Sequence, residues 1–261
     1  MFGEQLMREI SPLFAVQKPD SDEVVPIPHV DEDQMREVDR IAVEEFGLGI
    51  LQMMENAGRN LSAAALEMLS TKSTAQVIVA AGSGGNGGGG LCAARHLRNR
   101  GIQVSVVLTR SAEDLRGPAA VQLNILRSAG VQLVPSSGAD GLFEGADLIL
   151  DALIGYSLRG APSGTTASLI DQINASRCPV ISLDLPSGVD ATSGETPGVY
   201  VRPRKTLTLA LPKPGLLNMD AGDLLLADIG IPPEVYQPLG IQADPFWGKY
   251  YRLPLQRLTN L

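Results

Sequence analysis

Hydrophobic and polar positions fall into an alternating rhythm from residue 77 onward. Residues 77–81, Val-Ile-Val-Ala-Ala, are an unbroken apolar run, the composition of a strand buried on both faces. Glycine then fills every position from 82 to 90 except Ser83 and Asn86, and a helical pattern starts at Leu91. The alternation continues with a strand over 103–109, a helix over 115–129 and a short strand over 131–134. A strand over 147–153, a helix over 165–176 and a strand over 179–185 follow, with later strands at 205–211 and 224–228. Such alternation predicts an α/β fold, a mostly parallel sheet with helices on both faces and right-handed crossovers. Two helices precede it. The first, over 31–47, has acids in its first turn and an apolar stripe of Met35, Val38, Ile41 or Ala42, and Phe46. In the second, over 51–69, Met53 and Met54 read as core. There Glu55 and Asn56 beside Ala57 and Gly58 mark a close packing point with hydrogen bonds to satisfy.

The region before residue 31 reads differently. Residues 18–29, rich in Pro, Asp and Val, predict a linker or extended arm. Phe2, Leu6, Ile10 and Phe14 recur at helical spacing, so a short docking helix or a partly disordered extension is expected. Glu4, Glu9 and the single Arg8 count against a transit peptide. The expected organisation is an N-terminal extension over 1–30 and one domain over 31–261.

Composition narrows the function classes. Of 261 residues, 44% are hydrophobic and 19% charged, the balance of a soluble globular protein. A net charge of −8 argues against non-specific nucleic-acid binding. No apolar run is long enough to span a membrane. The two cysteines, Cys92 and Cys178, fit reduced core thiols in a cytoplasmic setting, with no disulfide framework and no zinc pattern.

In an open parallel sheet, ligands sit outside the carboxyl ends of the strands. Three strand ends are chemically marked. One leads into Gly84, Gly85 and Asn86, one into Asp151 followed by Gly155, Tyr156 and Ser157, and one into Asp184 followed by Ser187 and Asp190. Carboxylates, an amide oxygen and a hydroxyl are therefore expected in one crevice, a donor set suited to a hard cation. The run from Gly82 to Gly87 also matches G-x-G-x-x-G, but the acid of a dinucleotide fingerprint is missing. Arg110 stands near that place and could meet a 2′-phosphate. Ser187 lacks a nucleophile elbow, and His29 and His96 lie in the arm and mid-helix, so a Ser-His-Asp hydrolase is a poor fit.

Several blocks together resemble the NAD(P)HX epimerase family, known by its YjeF N-terminal domain. They are Gln-Met-Arg-Glu-Val-Asp-Arg at 34–40, Met-Met-Glu-Asn-Ala-Gly at 53–58, the glycine loop with its helix, and Asp-Ala-Leu-Ile-Gly at 151–155 running to 160. Leu-Asp-Leu-Pro-Ser-Gly-Val-Asp at 183–190, Thr-Leu-Thr-Leu-Ala-Leu-Pro-Lys at 206–213 and Asp-Ile-Gly-Ile-Pro at 228–232 complete the series. The resemblance implies a Rossmann-like three-layer αβα sandwich, commonly a homodimer. It implies epimerisation of hydrated NADH or NADPH at C6 of the nicotinamide ring. It also implies a potassium ion held by Asn86, Asp151 and Ser187. Substrate would be bound by Gly85, Asn86, Gly87, Gly88, Gly89, Gly155, Tyr156, Ser157, Leu158, Arg159, Gly160, Ala161 and Asp184. Asp184 is the expected acid–base group. Where the family loop reads Gly-x-Gly-Asn-Asn-Gly-Gly-Asp-Gly, this chain has Gly85 and Gly89 in place of Asn and Asp. The alternative expectation is thus a weakly active or inactive member that binds a nucleotide as a scaffold.

Overall fold

The computed structural model describes residues 12–70 and 74–258. Along the chain come β1 (Phe14–Gln17), β2 (Val24–Ile27), α1 (Glu32–Glu44), α2 (Ile50–Leu69), β3 (Gln76–Ala81), α3 (Gly85–Arg98), β4 (Gln103–Leu108) and α4 (Gly117–Ser128). Then follow β5 (Gln132–Pro135), β6 (Leu148–Ala152), α5 (Gly164–Ala175), β7 (Val180–Leu183), β8 (Lys205–Leu209), β9 (Asp223–Ala227) and β10 (Arg252–Arg257). The strands form one ten-stranded sheet in the order β2-β1-β10-β9-β8-β7-β6-β3-β4-β5. From β9 across to β5 every pairing is parallel, and β10, β1 and β2 extend the sheet antiparallel.

The apolar run of β3 is continuous because both of its faces are covered. Val77, Val79 and Ala81 face a cluster with Leu61, Leu91, Leu97, Leu123 and Leu126 from α2, α3 and α4. Ile78 and Ala80 face Leu169, Ile170 and Ile173 of α5. A third cluster joins α1, through Met35, Val38 and Ile41, to Phe14, Leu253 and Leu255 at the antiparallel end. This is the αβα layering that the alternation predicted.

The N-terminal region departs from expectation. Phe14, placed in a helical pattern with Phe2, Leu6 and Ile10, is fully buried in β1. Phe2, Leu6 and Ile10 lie outside the described residues. The predicted extended arm contains β2, and β1 pairs with β10, so residues 14–27 are part of the sheet. Phe46 lies beyond the end of α1 and is 46% exposed; the stripe ends at Ala42. Asp31 caps α1 by accepting from the Gln34 N–H, while Gln34 returns a bond to the Asp31 N–H, a reciprocal capping box.

Candidate active site

The glycine stretch is helical sooner than its sequence predicts. Its helix begins at Gly85, not at Leu91, so residues 85–90 form the first turns of α3. Glycine weakens a helix by roughly 1 kcal/mol per residue relative to alanine. Close packing is what the missing side chains permit. A Cβ on Gly87 would lie 1.8 Å from the Gly82 carbonyl oxygen, and one on Gly90 would lie 2.5 Å from Ala152 Cβ. The helix therefore starts directly on the ends of β3 and β6. Its first N–H groups have no partner within the helix and favour an anion.

Asp184 follows β7 and occupies the left-handed region at φ +68°. The Leu185 N–H bonds back across it to the Leu183 carbonyl at 2.9 Å, a three-residue turn. Such a backbone costs about 1–3 kcal/mol. The turn brings the carboxylate into a cavity of ≈460 Å³. Lys213 Nζ donates to Asp184 Oδ1 at 2.6 Å and to the Leu209 carbonyl at 2.8 Å. The Tyr156 N–H donates to Asp184 Oδ2 at 2.9 Å. Tyr156 Oη donates to Asp39 Oδ2 at 2.6 Å. Burial pushes the Asp39 carboxyl above the usual carboxylate range, with the Tyr156 hydroxyl opposing it. Burial and the Asp39 charge push the Tyr156 phenol up as well. A Cβ on Gly155 would meet Asp184 Oδ2 at 3.0 Å and Asn86 Cγ at 3.2 Å. The missing side chain lets these two polar groups converge.

Asp151 and Ser187 sit just beneath and are both fully buried. Asp151 Oδ1 accepts from Ser187 Oγ at 2.5 Å and the Leu153 N–H at 3.2 Å. Its Oδ2 accepts from Ser182 Oγ at 2.7 Å and the Ser187 N–H at 3.0 Å. Burial nonetheless raises its pKa, against the pull of those donors. Asn86 Nδ2 is buried without a partner. The amide's orientation is a matter of assignment, and turning it over would present an oxygen instead. An orphaned carboxamide at the start of α3, with a buried carboxyl and hydroxyl at the ends of neighbouring strands, supplies oxygen donors of the kind a hard cation takes.

Gly85, Asn86, Gly89, Gly155, Tyr156, Ser157 and Asp184 all line the ≈460 Å³ cavity. Gly87 and Gly88 are buried in the floor of α3. Leu158 is buried, while Arg159, Gly160 and Ala161 are exposed, and none of the four lines this cavity. Asp190, which its strand was expected to deliver to the crevice, instead caps a turn by accepting from Thr192 N, Ser193 N and Ser193 Oγ. Asp39 and Lys213 were not singled out in the sequence. Lys213 closed a quoted block, and a lysine two residues beyond an apolar strand region was the available signal. Asp39 stands in the block at 34–40, but an acid on a helix face is ordinarily solvated, so nothing set it apart there. Glu55, Cys92 and His96 bring three ligand types within 4.8 Å of one another. The Arg95 guanidinium already bonds to Glu55 and Cys92 there. That guanidinium is the counter-charge to Glu55, and the cluster ties α2 to α3.

Fold and site together define an α/β protein of the Rossmann-like class with a crevice at the strand ends that holds Asp39, Asp184 and Lys213. The family described as YjeF-related protein N-terminus matches residues 50–215, and the chain belongs to it. The NAD(P)H-hydrate epimerase of Dehalogenimonas lykanthroporepellens is 52% identical over 229 residues, 86% of this chain and 90% of that protein. The bifunctional NAD(P)H-hydrate repair enzyme Nnr of Hyperthermus butylicus is 40% identical over 73% of this chain, which spans 36% of that longer protein. Among solved structures, yeast ynu0 superposes with a TM-score of 0.75 at 21% identity, over 89% of this chain and 100% of that one.

Proposed function

We propose that the Asp184 cavity is where the chain interconverts the R and S epimers of hydrated NADH and NADPH at C6 of the nicotinamide ring, a metabolite-repair isomerisation. Family membership and the epimerase name of the relative at 52% identity support the reaction. One observation carries it to this cavity: the Asp184 carboxylate, turned inward at φ +68° and bonded to buried Lys213. Inverting C6 requires its C–O bond to break and re-form. The hydroxyl takes up a proton and leaves as water while the ring nitrogen's lone pair forms a double bond to C6. Water then adds to the opposite face and gives the proton back. The Asp184–Lys213 pair is the group assigned to that exchange. The carboxylate also faces the positive charge that develops on the ring. Gly85, Asn86, Gly89, Gly155, Tyr156 and Ser157 are assigned to substrate as cavity lining. Gly87, Gly88, Leu158, Arg159, Gly160 and Ala161 rest on the resemblance alone.

Asn86, Asp151 and Ser187 are the residues that would hold a potassium ion. Bound there, it supplies a fixed positive charge that offsets Asp151. A higher melting temperature in potassium chloride than in tetramethylammonium chloride, lost in Asp151→Asn, is the expected sign. The reading includes a homodimer, to be checked by sedimentation, and a cytoplasmic setting in keeping with free Cys92 and Cys178.

The deciding experiment mixes the purified protein with (6R)-NADHX in potassium buffer and follows the epimer ratio by chromatography. No acceleration over the spontaneous rate overturns the assignment. Gly85 and Gly89 favour a second reading, a nucleotide-binding scaffold, which predicts calorimetric binding of the dinucleotide without turnover.

A further inference from the structure

We infer that a second cavity, on the β4 side of the glycine stretch, takes the adenosine-ribose end of the dinucleotide, and that Arg110 there selects NADPHX over NADHX. The inference rests on the epimerase reading for the identity of the reactive end. The strand order β5-β4-β3-β6-β7-β8 is that of doubly wound dinucleotide folds, whose ligand crosses the switch point between the first strand and its neighbour across the sheet. Here that point lies between β3 and β6. Asp184 follows β7, so the reactive ring lies on the β6–β7 side. The other end of the ligand then extends toward β4.

A cavity of ≈390 Å³ waits on that side. It shares Gly85, Asn86, Gly155 and Ser157 with the Asp184 cavity, so one extended molecule can occupy both. Among the described residues Arg110, which is exposed, is its only charged lining residue, on a chain whose net charge is −8. Among the described residues its guanidinium has no hydrogen-bond or ion-pair partner. It stands just beyond the end of β4, where an NAD-type site carries an acid for the ribose diol. An acid there accepts from two hydroxyls and repels a phosphate. A guanidinium does the reverse, through charge-assisted paired bonds. The hydroxyl side chains of Ser163, Thr165 and Thr166, at the start of α5, line the same cavity. Ser163 is the N-cap residue of α5 and makes no side-chain capping bond.

The test uses probes that lack the reactive ring, ADP-ribose and 2′-phospho-ADP-ribose, titrated calorimetrically into the wild type, Arg110→Ala and Arg110→Lys. The wild type is expected to bind the 2′-phospho probe about tenfold or more tightly than ADP-ribose. Arg110→Ala brings that ratio close to one, with a much smaller loss for ADP-ribose than for the 2′-phospho probe, and Arg110→Lys keeps part of it. Equal affinities in the wild type, or equal losses for both probes in Arg110→Ala, overturn the inference. Because neither probe turns over, the result is independent of catalysis. A 2′-phosphate preference in a protein that epimerises nothing leaves Arg110 standing and removes the epimerase reading. Epimerisation at equal kcat/KM for both hydrates, unchanged in Arg110→Ala, removes Arg110 alone.

Discussion

At Asp184 the backbone and the side chain are constrained from different directions. The left-handed backbone disfavours most residues, but Asn tolerates it. Asp184→Asn therefore keeps the turn and removes the carboxylate. The expected outcome is an epimerisation kcat/KM lower by at least about a hundredfold, in a folded protein of lower melting temperature, because buried Lys213 is left without its counter-charge. An inactive but unfolded variant would leave the role of the carboxylate unsupported, so circular dichroism accompanies the kinetics. Lys213 is 1% exposed and Asp184 5% at their side chains, so removing the cation leaves a buried charge alone. Lys213→Met should cost about 3–5 kcal/mol in urea unfolding. Adding Asp184→Asn to it should recover part of the loss, because the stranded charge is then gone. Cys92 makes a different residue-scale case. Burial first, and then the Glu55 charge, push its thiol up to about 12. The free thiol should resist iodoacetamide at pH 8 in the native state and react once urea unfolds the chain. The folded pKa lies above the unfolded one, so this contribution to stability is complete below pH 9 and is lost as pH rises from 9 toward 12. Half-buried Tyr156 and buried Tyr236, whose phenols are also pushed up, shift in the same direction. Unfolding midpoints that hold constant from pH 8 to 11 would contradict all three.

The pairing of α2 with α3 explains which sequence features were readable. Glu55 and Asn56 stood out as polar residues beside small ones, and the structure satisfies both. Glu55 bonds to His96 at 2.8 Å and to Arg95, while Asn56 Nδ2 donates to the Ile229 carbonyl at 3.0 Å. Gly58 is the contact point: a Cβ there would lie 2.5 Å from Cys92 Cβ and 2.8 Å from the Ala93 backbone nitrogen. Backbone cannot yield as a flexible side chain can. Gly58→Ala is expected to destabilise by about 1–3 kcal/mol, read from the urea midpoint. What could not be read was that residues 85–90 are helical. Local propensity opposes a glycine helix, and only the closeness of β3 and β6 explains it. The same geometry separates Gly85 from Gly89 in the loop. A Cβ on Gly85 meets nothing within 4 Å, whereas one on Gly89 comes within 2.8 Å of Leu183 Cδ2. Gly85→Asn should leave the melting temperature unchanged, and Gly89→Asp should lower it modestly while Leu183 shifts. If activity rises in the double variant, the glycines set its wild-type level. If the variant binds substrate but stays inert, the scaffold reading gains.

Across the whole molecule, the parallel half of the sheet was legible and the antiparallel half was not. Apolar runs such as 77–81 announce strands buried on both faces, and their order placed Asp151 and Asp184 at ligand-bearing ends. The strand β10, Arg-Leu-Pro-Leu-Gln-Arg, alternates over too few residues, and Pro254 within it argues against an interior strand. Yet β10 is the link between the hairpin β1–β2 and β9. Its Leu253 and Leu255 are 0% and 6% exposed, packed in one cluster with Phe14, Val16 and Leu226. Burying each leucine is worth about 1.5–3 kcal/mol, before the separation of β1 and β2 is counted. That sum approaches the roughly 5–15 kcal/mol that holds an ordinary domain together. A chain ending at Tyr251 should therefore lose cooperative unfolding, and Leu253→Ala should lower stability by about 2–5 kcal/mol. Neither β10 nor the hairpin lines the Asp184 cavity. The rate per folded Leu253→Ala molecule should consequently match the wild type at temperatures well below melting. A shortened chain that unfolds at the same urea concentration as the full one would show that the antiparallel strands are an attachment to a domain complete without them.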